Sequence, residues 1–229
     1  MKKSFCIIPV RGGSKGIPRK NLLKIHENLS LLEWTIFQAK KVYDTANIII
    51  STEDFELKNI AKSCDVRVID RPEYLAKDES STLNVVDHLF EIFELDNLIV
   101  DSFTILQVTS PLREIRNIKD ALKLINSDKY DSVISVYEDH KHPAKNYFIN
   151  EKYLKPVIPK HEFSSRQNLP KVLRRNGAIF SVKTNFYREK KQLWGGRMGY
   201  VLMSEERSID IDYFEDYLKA KEFLKNIKK

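Results

Sequence analysis

The 229-residue chain lacks the features that define several classes of protein. Its two cysteines, Cys6 and Cys64, are too few for a disulfide framework and do not have the spacing of a metal site. Its apolar runs are much shorter than the roughly 20 residues that a membrane-spanning helix needs. The N-terminus leads into a predicted strand without the pattern of a signal peptide. These absences predict a cytoplasmic protein that has no membrane partner.

Internal repeats and low-complexity segments are also missing, and the composition is that of a folded protein. Hydrophobic residues make up 42% of the chain and aromatic residues 10%, which excludes global disorder. The length suits one domain, with or without an insertion. The formal net charge of +7 is compatible with nucleic acid, an anionic membrane surface or a small polyanion as a partner.

A short apolar run, 5–10, leads directly into a loop that is rich in glycine and basic residues. The run has the length of a buried strand. The glycines and cations of the loop are Gly12, Gly13, Gly16, Arg11, Lys15, Arg19 and Lys20. Glycine permits positive φ, so successive N–H groups can converge on an anion, while Arg and Lys neutralise its charge. The stretch therefore predicts a polyphosphate site; a solvated basic loop is the alternative interpretation.

The loop matches neither of two common phosphate-binding fingerprints. The Walker A motif requires a lysine directly after its second glycine, whereas Lys15 precedes Gly16. The dinucleotide fingerprint requires a residue between its first two glycines, whereas Gly12 and Gly13 are adjacent. The kind of phosphate site must therefore be inferred from the rest of the chain.

The first seventy residues alternate between strand-like and helix-like segments. Strands are predicted at 5–10, 47–51 and 66–69, with a helix at 55–63. Another helix is expected to start near Ser30, where the S-x-x-E pattern has the form of a capping box. This alternation predicts an α/β fold with a mainly parallel sheet, helices on both faces and right-handed crossovers. Ligands are expected at the carboxyl ends of the strands.

The alternation continues through the second half of the chain with one interruption. The further predicted elements are a helix at 82–93, a strand at 103–108, a helix at 115–126, strands at 131–136 and from 175, a helix at 186–193, a strand at 200–203 and a helix at 213–226. Between Tyr137 and Arg174 regular structure is sparse. We therefore expect a single domain, 1–229, with an inserted arm at 137–174.

Asp210 and Asp212 alternate with two isoleucines, so an extended chain would direct both carboxylates to the same side. Two neighbouring negative charges require neutralisation, and carboxylates are ligands that Mg²⁺ prefers. The pattern predicts a magnesium site. A helix N-cap role for Asp212 is the alternative.

Polar residues also follow the predicted strand at 103–108. Gln107 can both donate and accept hydrogen bonds, as recognition of a base or sugar edge requires. Thr109 and Ser110 are either part of that site or turn formers before a proline. Asn176 and Gly177 are open to two interpretations in the same way, because Asn-Gly is also a hairpin turn.

Five motifs resemble, in the same order, those of the CMP-sialic acid synthetase family, and the resemblance extends over about residues 5–220. They are the segments Val10–Asn21, Arg71–Ser81, Leu106–Arg113, Arg175–Phe180 and Ser208–Asp212. Three positions depart from the family pattern: Val10 replaces Ala, Val108 replaces Pro and Phe180 replaces Tyr. The last change removes a hydroxyl group.

The resemblance implies a nucleotidyltransferase fold of the glycosyltransferase-A-like type. It also implies a reaction in which CTP and a nine-carbon 2-keto-3-deoxy acid give the CMP-sugar and pyrophosphate. One alternative is a cytidylyltransferase for the eight-carbon sugar Kdo, whose loop usually carries an R-L-P-G-K pattern instead. The other is a basic nucleic-acid-binding protein, although a Lys/Arg stripe with interleaved aromatic residues is missing.

The same resemblance implies roles for individual residues. The nucleotide would be bound by Arg11, Gly12, Gly13, Ser14, Lys15, Lys20, Asn21, Arg71 and Ser81. The acid sugar would be bound by Gln107, Thr109, Ser110, Lys145, Arg166, Asn176 and Gly177. Asp210 and Asp212 would hold Mg²⁺, and catalysis would depend on Arg11, Lys15, Lys20 and Asp212. Either Asp212 or metal-bound water would take the proton of the sugar hydroxyl.

Members of the family use a segment like 137–174 as an arm that reaches into a neighbouring subunit, which implies a C2 homodimer. The resemblance also bears on the acceptor. Phe180, together with Trp194 and Tyr200, predicts a pocket with fewer polar groups. We therefore expect dideoxy acids such as legionaminic or pseudaminic acid to be at least as good substrates as N-acetylneuraminic acid.

Overall fold

The computed structural model describes residues 2–226, which build a central seven-stranded sheet flanked by helices. The strands are β1 (Ser4–Pro9), β2 (Lys24–His26), β3 (Leu29–Ser30), β4 (Ile48–Thr52), β5 (Arg67–Asp70), β6 (Ser102–Leu106), β7 (Ser132–Glu138), β8 (Tyr147–Asn150), β9 (Tyr153–Pro156), β10 (Leu173–Lys183) and β11 (Met198–Leu202). The α-helices are α1 (Leu31–Lys40), α2 (Phe55–Ser63), α3 (Thr82–Leu95), α4 (Ile115–Asn126), α5 (Thr184–Lys190) and α6 (Phe214–Asn226).

The central sheet has the strand order β11-β7-β10-β6-β1-β4-β5. β10 runs antiparallel to its neighbours β6 and β7, whereas the other paired strands are parallel. The prediction of a mainly parallel α/β sheet is therefore confirmed. Because β1 lies between β4 and β6, the carboxyl ends of these three strands meet at one edge.

Helices cover both faces of the sheet, as predicted. Ile7 of β1 packs in an apolar cluster with residues of α3 and α5, among them Phe93 and Tyr187. The next residue, Ile8, belongs to a second cluster on the opposite face with residues of α1, α2, α4 and α6. Adjacent residues of a strand point to opposite faces, so one apolar run supplies both layers.

Local signals fix the helix starts near the site. The Ser30 hydroxyl accepts a hydrogen bond from the Glu33 N–H, and the Glu33 carboxylate accepts one from the Ser30 N–H, which confirms the capping box. Asp54 and Ser81 cap α2 and α3 by accepting hydrogen bonds from the N–H groups of Leu57 and Asn84. The predicted strand at 103–108 ends two residues early, at Leu106, because the Gln107 carbonyl accepts from the Ser110 N–H in a turn.

The segment 137–174 begins and ends in the central sheet, where Glu138 of β7 pairs with Leu173 of β10. Between them lie the two-stranded β8–β9 hairpin and short 3₁₀ turns. Most side chains of the hairpin are exposed.

Among residues 2–226, the helices lack the combination of length and apolar character that a bilayer span requires.

Candidate functional site

A cleft of about 280 Å³ opens at the carboxyl ends of β1, β5 and β6. The residues that line it include Arg11, Gly13, Ser14, Lys20, Asn21, Arg71, Lys77, Asp78, Ser80, Gln107 and Thr109. The structure thus brings together residues from three of the motifs, at the edge where parallel sheets bind ligands. Its volume is close to the lower limit for small-molecule sites.

Close packing holds the basic loop against its neighbours. The Asn21 amide donates to the Arg11 carbonyl oxygen over 2.9 Å, and the Gly12 N–H donates to the Glu53 carboxylate over 2.7 Å. A methyl group on Gly12 would collide with the side chain of Asp54. The loop residue Gly12 is therefore placed by its carboxylate neighbours beyond β4, which the sequence motifs did not reveal.

Two cations of the cleft are buried. Arg71 is 7% exposed and donates to the carbonyl and hydroxyl oxygens of Ser51. Burial, opposed by the charge of Glu53 and aided by that of Arg11, lowers the pKa of Arg71 to about 10, so the side chain stays charged at neutral pH. Lys20 is 8% exposed and donates to the Ile211 carbonyl oxygen. A cleft with desolvated cations favours an anionic ligand.

Two other cations of the loop, Arg11 and Lys15, meet one carboxylate, that of Asp78. Arg11 and Lys15 both form ion pairs with Asp78, at 2.8 Å and 2.9 Å. Lys15 is largely exposed, and Asp78 is half-exposed. The two cations, Lys15 first and then Arg11, hold the pKa of the Asp78 carboxyl below its ordinary value. Asp78 thus occupies the place of an anion beside the loop.

The opposite wall is built from the turn that follows β6. Gln107 and Thr109 line the cleft, and the Thr109 carbonyl oxygen accepts the Ile211 N–H over 2.8 Å. Gly177 lies at φ +79°, and a methyl group there would come within 2.7 Å of Gln107 Oε1. Gly177 therefore leaves the space that the Gln107 side chain fills.

Asp210 and Asp212 lie beside this wall. Although Asp210 is exposed at its outer edge, the surrounding protein desolvates its carboxyl group and raises its pKa. The charge of Asp212 adds to this shift, while a hydrogen bond from the Thr109 hydroxyl and the charge of Lys20 oppose it. Lys20 Nζ is 3.6 Å from Asp212 Oδ1.

This acidic pair fits Mg²⁺, because a divalent cation would offset both the desolvation of Asp210 and its repulsion by Asp212, which raise the pKa of Asp210. Within residues 2–226, no group of three or more His, Cys, Asp or Glu side chains is gathered as a metal site. Two carboxylates are enough where substrate phosphates and water complete an octahedral shell, which is the usual environment of Mg²⁺.

Five of the residues assigned from the sequence have their side chains elsewhere. Ser81 caps α3, and Ser110 is 1% exposed, without a partner for its hydroxyl in the described part of the chain. Asn176 is buried and donates to Ser208 over 2.8 Å. Lys145 donates to two carbonyl oxygens of its own arm, and Arg166 is exposed there. Their roles in binding stay predictions.

Phe180 is also absent from the lining of the cleft. Its side chain is 5% exposed and belongs to the apolar cluster under α3 and α5, with its ring centroid 5.7 Å from that of Trp194. Arg175 covers Trp194, with its guanidinium carbon 3.9 Å from the ring centroid. The expected preference for dideoxy sugars rested on Phe180 as a pocket residue, and the structure places that side chain in the core instead.

The sequence motifs also contain a buried charged residue to which no role was given. Arg113 is 1% exposed and donates to the Gln107 and Ser110 carbonyl oxygens. Its position directly after the apolar Leu112 was the signal in the sequence that Arg113 is buried. An isolated arginine, however, more often lies on the surface.

The sheet order, the basic loop and the cleft at the carboxyl edge define a nucleotide-binding α/β protein. Residues 5–229 match the sequence profile of the cytidylyltransferase family, so the chain belongs to that family.

Two relatives and one solved structure illustrate the match. An N-acylneuraminate cytidylyltransferase of Streptococcus agalactiae serotype III (strain NEM316) is 31% identical over 94% of this chain, which spans 52% of that protein. The chain thus covers about half the length of that relative. The post-translational flagellin modification protein B of Campylobacter coli is 30% identical over 98% of this chain and 95% of its own length.

The solved structure is CMP:2-keto-3-deoxy-manno-octonic acid synthetase complexed with CTP. It superimposes with a TM-score of 0.72 over 98% of this chain and 99% of the other, at 16% identity. At that identity the likeness shows the fold alone. It confirms the nucleotidyltransferase type of fold that the motifs predicted.

Proposed function

We propose that this protein couples CTP to a nine-carbon 2-keto-3-deoxy acid and releases pyrophosphate. The observation that carries the proposal is the convergence of Arg11, Lys20 and Arg71 on one cleft, beside the Asp210–Asp212 segment. Family membership and the N-acylneuraminate cytidylyltransferases among its relatives support the choice of nucleotide and of acid.

In the proposed reaction the anomeric hydroxyl of the acid attacks the α-phosphorus of CTP. A new P–O bond forms at the α-phosphorus while the hydroxyl proton passes to Asp212 or to water. The bond from the α-phosphorus to the bridging oxygen of the β-phosphate breaks, and pyrophosphate leaves with the negative charge. Arg11, Lys15 and Lys20 would bind the phosphates and stabilise this charge, which is the main task in phosphoryl transfer. Gly12, Gly13, Ser14 and Asn21 shape the loop around them, and Arg71 and Ser81 complete the nucleotide side.

Asp210 and Asp212 would hold Mg²⁺, which supplies charge neutralisation for the triphosphate. The protein fixes these carboxylates through two contacts: the Ile211 N–H donates to the Thr109 carbonyl, and Lys20 donates to the Ile211 carbonyl. The acidic segment is thereby tied to both walls of the cleft, so nucleotide and acceptor would meet with little reorganisation.

The acceptor would lie against Gln107 and Thr109, with Gly177 keeping the Gln107 amide in place. Lys145 and Arg166 are absent from the lining of the same chain's cleft. We assign them to the carboxylate of the acid in a neighbouring subunit's site, which makes the protein a homodimer. Asn176 and Ser110 are buried behind Gln107 and Thr109 and would support this acceptor wall from the interior. The site of action would be the cytoplasm.

The test is pyrophosphate release in a two-way panel. CTP, UTP, ATP and GTP are each combined with N-acetylneuraminic, legionaminic and pseudaminic acid and with Kdo. We expect turnover with CTP and at least one nine-carbon acid. Turnover with Kdo alone would support the eight-carbon alternative. If none of the acid sugars gives pyrophosphate release, the proposal is contradicted. The Arg71→Ala variant, purified identically, controls for contaminating activity.

A further inference from the structure

Arg113 is a charged residue in the interior of the protein, among the largest fully buried side chains. One guanidinium nitrogen donates to both the Gln107 and the Ser110 carbonyl oxygens, each over 2.7 Å. The other terminal nitrogen donates to the Thr35 hydroxyl over 3.0 Å. Burial lowers the pKa of Arg113 to about 10, so the side chain remains a cation at neutral pH.

These partners are all neutral oxygens, so Arg113 is not held by an ion pair with them. An apolar side chain of similar length would avoid the desolvation of a buried charge. The guanidinium instead fixes geometry: the two hydrogens of one terminal nitrogen bind two carbonyl oxygens and set their separation, while the other nitrogen ties the turn to Thr35 of α1. The two carbonyls that it joins are the first and last of the turn after β6.

α1 holds the same turn from its outer side. The Trp34 indole N–H donates to the Pro111 carbonyl oxygen over 2.8 Å. The Gln38 amide donates to the Arg113 carbonyl oxygen over 2.6 Å. Arg207 also donates to the Leu112 carbonyl oxygen over 3.1 Å. Side chains thus bind five carbonyl groups of the backbone from residue 107 to residue 113, far more than a turn before a proline requires.

This turn is where the cleft and the acidic segment meet. Gln107 and Thr109 face the cleft, and the Thr109 carbonyl accepts the Ile211 N–H. Ile211 in turn accepts from Lys20 with its own carbonyl oxygen. A shift of the turn would therefore move Gln107, Thr109 and the Asp210–Asp212 segment together.

We propose that Arg113 is a positioning residue that clamps the Gln107–Ser110 turn and so sets the acceptor wall and the metal-binding segment relative to each other. The inference rests on the proposed function for its kinetic consequences. Arg113 itself does not line the cleft. Its effect on the reaction would pass entirely through the backbone that it holds.

The experiment compares Arg113→Met, Arg113→Lys and Ile125→Ala. Ile125 is fully buried in the last turn of α4, whereas Arg113 lies before the first turn of that helix, so truncation of Ile125 lowers stability at a distance from Arg113. We expect Arg113→Met to lower kcat about tenfold to a hundredfold, as small misplacements of reacting groups do. The Mg²⁺ concentration for half-maximal rate and the KM for the acid should rise several-fold. The KM for CTP should change less, because Arg11 and Arg71 lie on other loops.

Arg113→Lys retains the charge but offers a single nitrogen, which cannot hold both the turn and the Thr35 hydroxyl, so we expect intermediate values. Ile125→Ala should lower Tm as much as Arg113→Met and leave kcat and the Mg²⁺ requirement within about twofold of wild type. Equal kinetic losses in Arg113→Met and Ile125→Ala, or wild-type kinetics in Arg113→Met, would overturn the proposal. If Arg113→Met does not fold, Arg113→Lys carries the same comparison.

Amide hydrogen exchange of the metal-free, ligand-free protein separates this inference from the proposed function. The clamp predicts faster exchange at Ser110 and Ile211 in Arg113→Lys than in wild type, with no such change in Ile125→Ala. Unchanged exchange at both amides would overturn the clamp whatever the enzyme does. A wild-type protein that is inactive with every acid would contradict the proposed function and leave this measurement intact.

Discussion

A methyl group on Gly16 would collide with the backbone carbonyl oxygen of Asp212, so the basic loop and the acidic segment are in direct contact. The loop follows the first strand, and the acidic segment precedes the last helix. Lys20 supports the same contact through the Ile211 carbonyl oxygen. The residues proposed for phosphate and for Mg²⁺ therefore form one unit, although they lie near opposite ends of the sequence.

The first prediction follows from that contact. Gly16→Ala should separate the loop from the acidic segment. The methyl group would meet the backbone of Asp212, which cannot move aside by a rotamer change as a side chain can. We expect kcat/KM to fall about tenfold to a hundredfold and Tm to fall by several degrees. Gly13→Ala is the stability control, because its methyl group would have no atom within 4 Å. Equal Tm values for the two variants would contradict the contact.

The second prediction concerns Asp78, which pairs with Arg11 and Lys15. CTP must compete with this carboxylate for the same cations. Asp78→Asn should therefore lower the KM for CTP about two- to fivefold, the range expected for exposed ion pairs, and the gain should shrink at high salt. Glu94→Gln, which removes the exposed ion pair with Arg188, should leave the KM unchanged. A higher KM in Asp78→Asn would show that Asp78 assists binding instead.

Sequence patterns predicted the elements around the site because the signals there are local. α2 begins and ends where periodicity placed it, and the capping box at Ser30 needs only four consecutive residues. Arg11 after β1 and Gln107 after β6 lie in the cleft because parallel strands present their carboxyl ends at one edge.

Those local patterns could not predict contacts between segments that lie far apart in the sequence. Ser110 belongs to the same motif as Gln107, and Asn176 to the same motif as Gly177, yet the side chains of Ser110 and Asn176 are buried. A motif gives the order of polar residues, but the turn and the register of β10 decide which of them face the cleft. Phe180 was misplaced for the same reason: its neighbour across the sheet, Ile105, lies on the face that α3 covers.

The third prediction concerns Asp210, whose pKa is raised by desolvation. A carboxyl group with a folded-state pKa above its unfolded value costs stability once pH exceeds that unfolded value, and the full cost is reached above the folded pKa. Asp210→Asn should therefore raise Tm at neutral pH in EDTA. The difference from wild type should vanish below the ordinary carboxyl pKa, where both side chains are neutral.

Asp210→Asn should also raise the Mg²⁺ concentration for half-maximal activity about tenfold or more, because it removes a ligand charge. EDTA should abolish wild-type activity. Glu215→Gln, in the first turn of α6, is the matched control and should alter neither Tm nor metal dependence. An Asp210→Asn variant with wild-type metal dependence would leave the acidic segment without a metal role.

The fourth prediction concerns the exposed β8–β9 hairpin. Ile149 and Leu154 pair directly across it and are 85% and 66% exposed. An isolated two-stranded hairpin is marginally stable in water, so apolar side chains on one of its faces favour burial against another subunit. Ile149→Asp should convert a dimer into a monomer in light scattering. Leu95→Asp, at an equally exposed position at the end of α3, should not.

Subunit mixing tests whether the arm completes its neighbour's cleft. Arg71→Ala should inactivate a subunit's own cleft, and Arg166→Ala should remove the arm's contribution to the other cleft. In a mixed population of the two inactive variants, half of the dimers are mixed, and each of these has one intact site. After the subunits exchange, activity should therefore return to about a quarter of the wild-type value. If each arm serves its own cleft, no mixture regains activity. The hairpin would then hold the dimer together without completing the neighbouring site.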